Sequence, residues 1–119
     1  AEVEVNRMEI QQILTNLVLN AQQALQSHGT AGAQVTVRTE LKEGRARVYV
    51  EDNGPGVPSE VKERIFEPFY TTKPVGEGTG LGLSISSKLA ERNQGSLEFI
   101  PSSEGACFRL SLPQFKEER

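Results

Sequence analysis

Two asparagines four residues apart, Asn16 and Asn20, are the first residues in this chain whose type and spacing could do chemistry. An acid that opens a glycine turn, Asp52-Asn53-Gly54-Pro55-Gly56, and a second glycine run, Gly76-Glu77-Gly78-Thr79-Gly80-Leu81-Gly82-Leu83, are the others. Residues i and i+4 of a helix share a face, so Asn16 and Asn20 present two carboxamides side by side. A carboxamide oxygen is a neutral hard donor, of the kind Mg²⁺ accepts alongside phosphate oxygens and water. Asp52 closes an apolar run, and a carboxylate held there can accept a hydrogen bond from an exocyclic amine such as that of adenine. Guanine carries a carbonyl at the same ring position; the acid would then be unpaired, and an unsatisfied buried polar group discriminates strongly. Gly54 and Gly56 let the backbone pass close beneath a flat base. Gly78, Gly80 and Gly82 lead into a helix near Leu81, where free N–H groups and the positive end of the helix dipole favour phosphate oxygens. Lys73 lies in the irregular stretch between the two glycine runs and could reach a terminal phosphate. Taken together, these residues point to a nucleotide site.

Each feature taken singly also has an ordinary structural meaning. Asp, Asn and Gly are the standard turn residues, an asparagine at a helix border can simply bond to backbone or water, and a loop lysine can be solvated. Their occurrence together in one short chain argues for a ligand. The second glycine run is not a Walker A loop, because no Gly-x-x-x-x-Gly-Lys-Ser/Thr occurs. It is not a dinucleotide fingerprint either, since Leu81 stands where the third glycine counted from Gly76 would fall. The His-Arg-Asp and Asp-Phe-Gly phrases of protein kinases are absent.

Size and composition narrow the class. With 119 residues, a single domain covering 1–119 is expected. A formal net charge of −3 argues against a nucleic-acid partner, which demands clustered Lys and Arg. No apolar run approaches the ~20 residues of a membrane span, and no signal peptide opens the chain, so no membrane contact and a cytoplasmic location are expected. The single cysteine, Cys107, excludes an intrachain disulfide and a thiolate zinc site, and reads as a small buried filler. The single histidine, His28, reads as a surface residue at a helix end rather than a catalytic base. Phe66, Phe69 and Tyr70 cluster at the root of the irregular loop, with Phe66 and Phe69 expected to anchor it in the core.

The elements that must position these residues follow from periodicity. Residues 2–5 alternate as a short strand. Residues 7–27 hold apolar side chains at helical spacing, with Asn6 as cap and His28-Gly29 as stop. Residues 34–40 and 46–51 alternate about a turn at Glu43-Gly44. A short helix is expected over 58–65, a mobile loop over 68–79 and a helix over 81–93 ended near Gly95. A second hairpin spans 96–100 and 106–112. The order β-α-β-β-α-α-β-β predicts an α/β (α+β) two-layer sandwich, a mixed, mostly antiparallel five-stranded sheet with helices on one face.

In this order the phrases resemble the catalytic ATP-binding domain of two-component sensor histidine kinases, within the GHKL superfamily shared with gyrase and mismatch-repair ATPases. Asn16-Leu17-x-x-Asn20-Ala21 is similar to the N box, Asp52-x-Gly54-x-Gly56 to the first glycine box, Phe66-Glu67-Pro68-Phe69 to the F box and Gly78-Thr79-Gly80-Leu81-Gly82-Leu83 to the second glycine box. The resemblance covers essentially the whole chain. It implies the Bergerat fold, ATP and Mg²⁺ as ligands, Asn20 as metal ligand, Asp52 on the adenine amine, and a flexible ATP lid from about 67 to 79. Two positions depart from the pattern. Gln23 and Ala24 stand where many members carry a basic and an aromatic residue, which makes Lys73 the better cation. Asn16 stands where the gyrase branch has a water-activating Glu, and a carboxamide cannot take the proton a carboxylate can, so slow hydrolysis is expected. The phosphorylated histidine of the family belongs to a separate helical dimerisation domain, expected upstream, with a response regulator further downstream. By itself the domain is expected to be a monomer that binds ATP and transfers nothing. Two alternatives stay open: a stand-alone serine kinase of the anti-sigma-factor type, and a nucleotide-sensing module that gates a partner without phosphoryl transfer.

Overall fold

The computed structural model describes residues 6–29, 31–54, 56, 64–67, 82–100 and 105–113. Helix α1 (Arg7–His28) runs along one face of a four-stranded sheet beside helix α2 (Gly82–Arg92). The strands are β1 (Val35–Lys42), β2 (Arg45–Asp52), β3 (Ser96–Ile100) and β4 (Cys107–Pro113), in the spatial order β1-β2-β4-β3. Every pairing among them is antiparallel. The strand expected at 2–5 lies outside the described residues, as do the loop expected at 68–79 and residues 58–63 of the short helix. Residues 64–67, where that helix is expected to end, form a turn in which the Arg64 carbonyl accepts from the Glu67 N–H at 2.9 Å.

The i, i+4 spacing of Ile13, Leu17, Ala21 and Leu25 makes one stripe of α1 buried, and Ile10, Leu14 and Val18 pack beside it. The stripe meets Val50, Phe108, Leu110, Leu112 and Leu97, which alternation places on the helix side of the sheet. Each fully buried aliphatic side chain in this layer contributes about 1.5–3 kcal/mol relative to exposure. Phe108 anchors the centre, with Phe99 at 5.6 Å and Phe66 at 6.1 Å between ring centroids, both edge-on. Phe66 is thus a core anchor, as expected from its place at the loop's root. Phe69 and Tyr70 lie outside the described residues.

Turns set the register. Glu43 and Gly44 have φ of 53° and 75°, and a two-residue connection with both φ values positive is what a type I′ hairpin needs. Toward the turn, β1 therefore runs two residues further and β2 one residue further than alternation alone indicates. Helix α2 stops one residue earlier than expected, at Arg92, in a Schellman arrangement. Gln94 takes φ 62° and donates to Glu91, while the Gly95 N–H reaches the Ala90 carbonyl at 2.8 Å. Gly95 serves close approach: a Cβ there would collide with the Ser111 carbonyl of β4.

The start of α1 is tied to the end of α2 by one buried side chain. Asn6 caps α1, its Oδ1 accepting from the Glu9 N–H at 3.1 Å. In a reciprocal capping box the Glu9 side chain would reach back to the Asn6 N–H. Here Asn93 (3% exposed) stands between them: its Oδ1 accepts from the Asn6 N–H at 2.6 Å and its Nδ2 donates to Glu9 Oε1 at 3.1 Å. The two helices consequently lie antiparallel. The opposite face of the sheet is polar and is covered by its own side chains. Arg38 pairs with Glu51 at 2.9 Å and lies 3.9 Å over the Tyr49 ring, whose hydroxyl donates to Glu40 at 3.1 Å. Arg109 pairs with Glu98 at 2.9 Å. Cys107 is buried on this face, as its composition-based reading required, and burial pushes its thiol pKa up. No helix among the described residues is long and apolar enough to cross a membrane.

Candidate functional site

Asp52 is placed by the same alternation that builds the core. Val48, Val50 and Asp52 are spaced by two on β2, so the carboxylate lies on the helix-covered face where an apolar side chain is the default. It is 8% exposed. Its Oδ1 accepts two backbone N–H groups, from Gly54 at 2.9 Å and from Ala106 at 3.3 Å. No ion pair falls on Asp52 among the described residues. A buried carboxylate without a cation is costly unless its lone pairs are satisfied. Both of these backbone donors fall on Oδ1.

The turn that follows is fastened from both sides. Asn53 accepts the Gln34 N–H at 2.8 Å and donates to the Gly32 carbonyl at 2.9 Å, holding the segment before β1 against the turn. Gly56 has φ 78°, and a Cβ there would lie 3.0 Å from the Gly105 carbonyl oxygen. Gly105 itself, at φ 64°, has no room for a Cβ beside the Asp52 carbonyl. Gly54 is crowded by Asp52 Oδ1 and by Leu25 of α1. The glycines of the first run thus have a reason within the chain: they let two backbone segments close around the acid. Gly82, by contrast, has nothing near its Cβ position, so packing among the described residues does not demand a glycine there.

Asn16 and Asn20 are both half-buried on α1, one turn apart, on the border of its buried stripe. Asn16 Nδ2 donates to Ser86 Oγ of α2 at 3.1 Å. Because the helices are antiparallel, one turn forward from Asn16 matches one turn back from Ser86. That brings Asn20 level with Gly82, the first residue of α2, where the free N–H groups of the helix start lie. Leu83 is half-buried and packs against the core, so it holds the start of α2 rather than facing away from it. Helix α1 is the common wall: its Leu25 abuts the Asp52 turn and its Asn16 abuts α2.

The structure therefore brings Asn16, Asn20, Asp52, Gly54, Gly56, Gly82 and Leu83 onto elements that touch one another. Lys73, Gly78, Thr79, Gly80 and Leu81 lie outside the described residues. Among the described residues no group of three or more His, Cys, Asp and Glu could hold a metal. A hard cation here would draw its protein ligands from carboxamide oxygens and the rest from phosphate and water, which is the pattern Mg²⁺ favours. Sequence reasoning missed Ser86, the Gly105-Ala106 pair and Asn93. For Ser86 a signal existed: a small polar residue sits between Leu83 and Ala90 at helical spacing, inside the buried stripe of α2.

Comparison with known proteins agrees with this fold. The chain is 42% identical over 108 residues to the two-component sensor PprA of Pseudomonas aeruginosa, covering 88% of this chain and 12% of that protein. It superposes on the nucleotide-free catalytic domain of the histidine kinase ThkA with a TM-score of 0.80 at 38% identity, covering 95% of this chain and 71% of that one. Full-length ShkA in complex with AMPPNP gives 0.76 at 30% identity, covering 93% of this chain and 22% of that one. This chain thus spans only a small part of the sensor proteins it matches. Residues 5–116 match the family of histidine kinase-, DNA gyrase B- and HSP90-like ATPases, and the chain belongs to that family.

Proposed function

We propose that this domain binds Mg²⁺-ATP and donates the γ-phosphate to a histidine on a separate helical dimerisation domain, located upstream in the parent protein. The observation that carries the reading is Asp52: a nearly buried carboxylate at a strand end, with two backbone N–H groups held by one of its oxygens. The exocyclic amine of adenine is a donor from which such a carboxylate can accept, and the guanine carbonyl is not. The capture of AMPPNP by ShkA supports an adenine nucleotide as the ligand.

In this reading Asn20, with Asn16 one turn away, would hold Mg²⁺ through carboxamide oxygen. The ion, when bound, would neutralise charge on the triphosphate. Lys73 supplies the remaining cation, and Gly78, Thr79, Gly80 and Leu81 contribute backbone donors before Gly82. Phosphoryl transfer needs little covalent chemistry from the protein; positioning and charge stabilisation supply most of the rate. The chain has no carboxylate at position 16 to activate water, so bound nucleotide is kept for the acceptor imidazole rather than hydrolysed. A response regulator would take the phosphoryl group from that histidine.

The test mixes the domain with a purified helical histidine domain from a sensor kinase and γ-labelled ATP, with and without Mg²⁺. Metal-dependent, acid-labile label on the helical domain is the expected result. Acid-stable label on a serine protein would replace this reading with a serine kinase. Nucleotide binding with no transfer to any histidine domain would replace it with a nucleotide-gated module.

A further inference from the structure

We propose that Ser86 is a positioning residue that fixes the carboxamide of Asn16 for metal-bound nucleotide, an inference that rests on the nucleotide reading above. Ser86 is fully buried (0% exposed) on the inward stripe of α2, among Leu83, Leu89 and Ala90, where packing alone would be served by an aliphatic side chain. Its Oγ is spent on one described partner, Asn16 Nδ2 at 3.1 Å, across the α1–α2 interface and 70 residues away in sequence. An asparagine amide can otherwise rotate to exchange its oxygen and nitrogen, which are similar in shape and opposite in chemistry. The Ser86 hydroxyl can accept from Nδ2 or donate to Oδ1, so the bond sets where the carboxamide sits at the α1–α2 interface rather than which end it turns away. In the structure Nδ2 takes the Ser86 contact and Oδ1 lies off it, a hard oxygen on a residue one turn from Asn20. The same bond ties the N-box face of α1 to a helix whose first residue, Gly82, lies one turn before Ser86. Ser86 itself touches neither nucleotide nor metal.

Two measurements on the intact domain test this. In ligand-free ¹⁵N-labelled protein, the side-chain amide pair of Asn16, assigned by its loss in Asn16→Ala, should shift in Ser86→Ala while most other amide signals stay in place. In calorimetry, Ser86→Ala should weaken Mg²⁺-ATP binding about three- to ten-fold, the scale of one neutral hydrogen bond. Metal-free ATP binding should change by less than about two-fold, since it does not use that bond. In the Asn16→Ala background Ser86→Ala should add nothing, because the two residues act through one interaction. Ser86→Cys fills the same space with a poor acceptor and should share the loss of Mg²⁺-ATP affinity.

A Cys variant with wild-type affinity, equal losses with and without metal, or an undiminished effect in the Asn16→Ala background would each overturn the proposal in favour of simple packing. An Asn16 amide pair that does not move in Ser86→Ala would overturn it while leaving the nucleotide reading intact. A wild-type domain that takes up no Mg²⁺-ATP would overturn the nucleotide reading, and this proposal with it.

Discussion

Replacing Asp52 with Asn separates the two tasks of the carboxylate, because a different oxygen carries each. Oδ1 accepts the Gly54 and Ala106 N–H groups, and an asparagine oxygen in the same place can accept both, as neutral bonds in place of charge-assisted ones. The folded state should lose little, under about 1 kcal/mol, as expected for a nearly isosteric change. Oδ2, by contrast, becomes an NH₂ group facing the amine of adenine, donor against donor. A hydrogen bond to a charged group is worth about 1.5–3 kcal/mol, which is roughly ten- to a hundred-fold in affinity. Titration calorimetry with ATP should therefore show at least a ten-fold loss alongside a nearly unchanged melting temperature, where ten-fold corresponds to about 1.4 kcal/mol. The triphosphate of purine riboside, which lacks the amine, should bind the wild-type protein weakly and lose much less on substitution. Asp52→Ala should behave differently, because the buried Ala106 N–H loses its acceptor at about 1–3 kcal/mol, the part-buried Gly54 N–H loses it too, and the domain itself is destabilised. Unchanged ATP affinity in Asp52→Asn would remove the carboxylate from base recognition and leave it a purely structural clamp on the turn.

The buried latch between the helices gives a second prediction. Asn93→Ala removes the acceptor of the Asn6 N–H and the donor to Glu9 and the Leu89 carbonyl; a lost cap together with an orphaned buried group costs about 2–3 kcal/mol. Scanning calorimetry should show a melting temperature lower by about 10 °C, and a shift within error of zero would mean that Asn93 contributes nothing to helix docking. Cys107 supplies the third. Burial raises its pKa above the ordinary value of 9.0, so the unfolded thiol ionises first as pH rises. Its contribution to stability is intact below about pH 9 and is lost as the pH climbs through the folded value. Near neutral pH, iodoacetamide should label native protein far more slowly than urea-unfolded protein, and equal rates would place the thiol at the surface.

Much of the fold was legible in the chain because its signals are local. The apolar positions of α1 recur with helical spacing between a capping Asn6 and a left-handed Gly29, and both ends fall where those residues indicate. Glu43-Gly44 marks one hairpin, and alternation marks its strands to within two residues. The candidate site was legible in part for the same reason: paired carboxamides, an acid at a strand end and glycine runs are patterns of near neighbours. The family resemblance joined those patterns into one site. Gly54 and Gly56 show where local reading stopped. Their spacing suggests a base passing close by, and the folded chain adds contacts that no local pattern shows: Gly56 lies against the Gly105 carbonyl and Gly54 against Leu25 and the Asp52 carboxylate.

What the sequence by itself determined, then, is which residues could serve a nucleotide and which elements carry them. Which partners fix those residues was decided only in three dimensions. Ser86 meets Asn16 across 70 residues, the Ala106 N–H meets Asp52 across 54, and Asn93 meets Asn6 across 87. Periodicity reports which face of an element is buried but not what it is buried against. Those pairings follow from the β1-β2-β4-β3 order and the antiparallel docking of two helices, which no local pattern encodes.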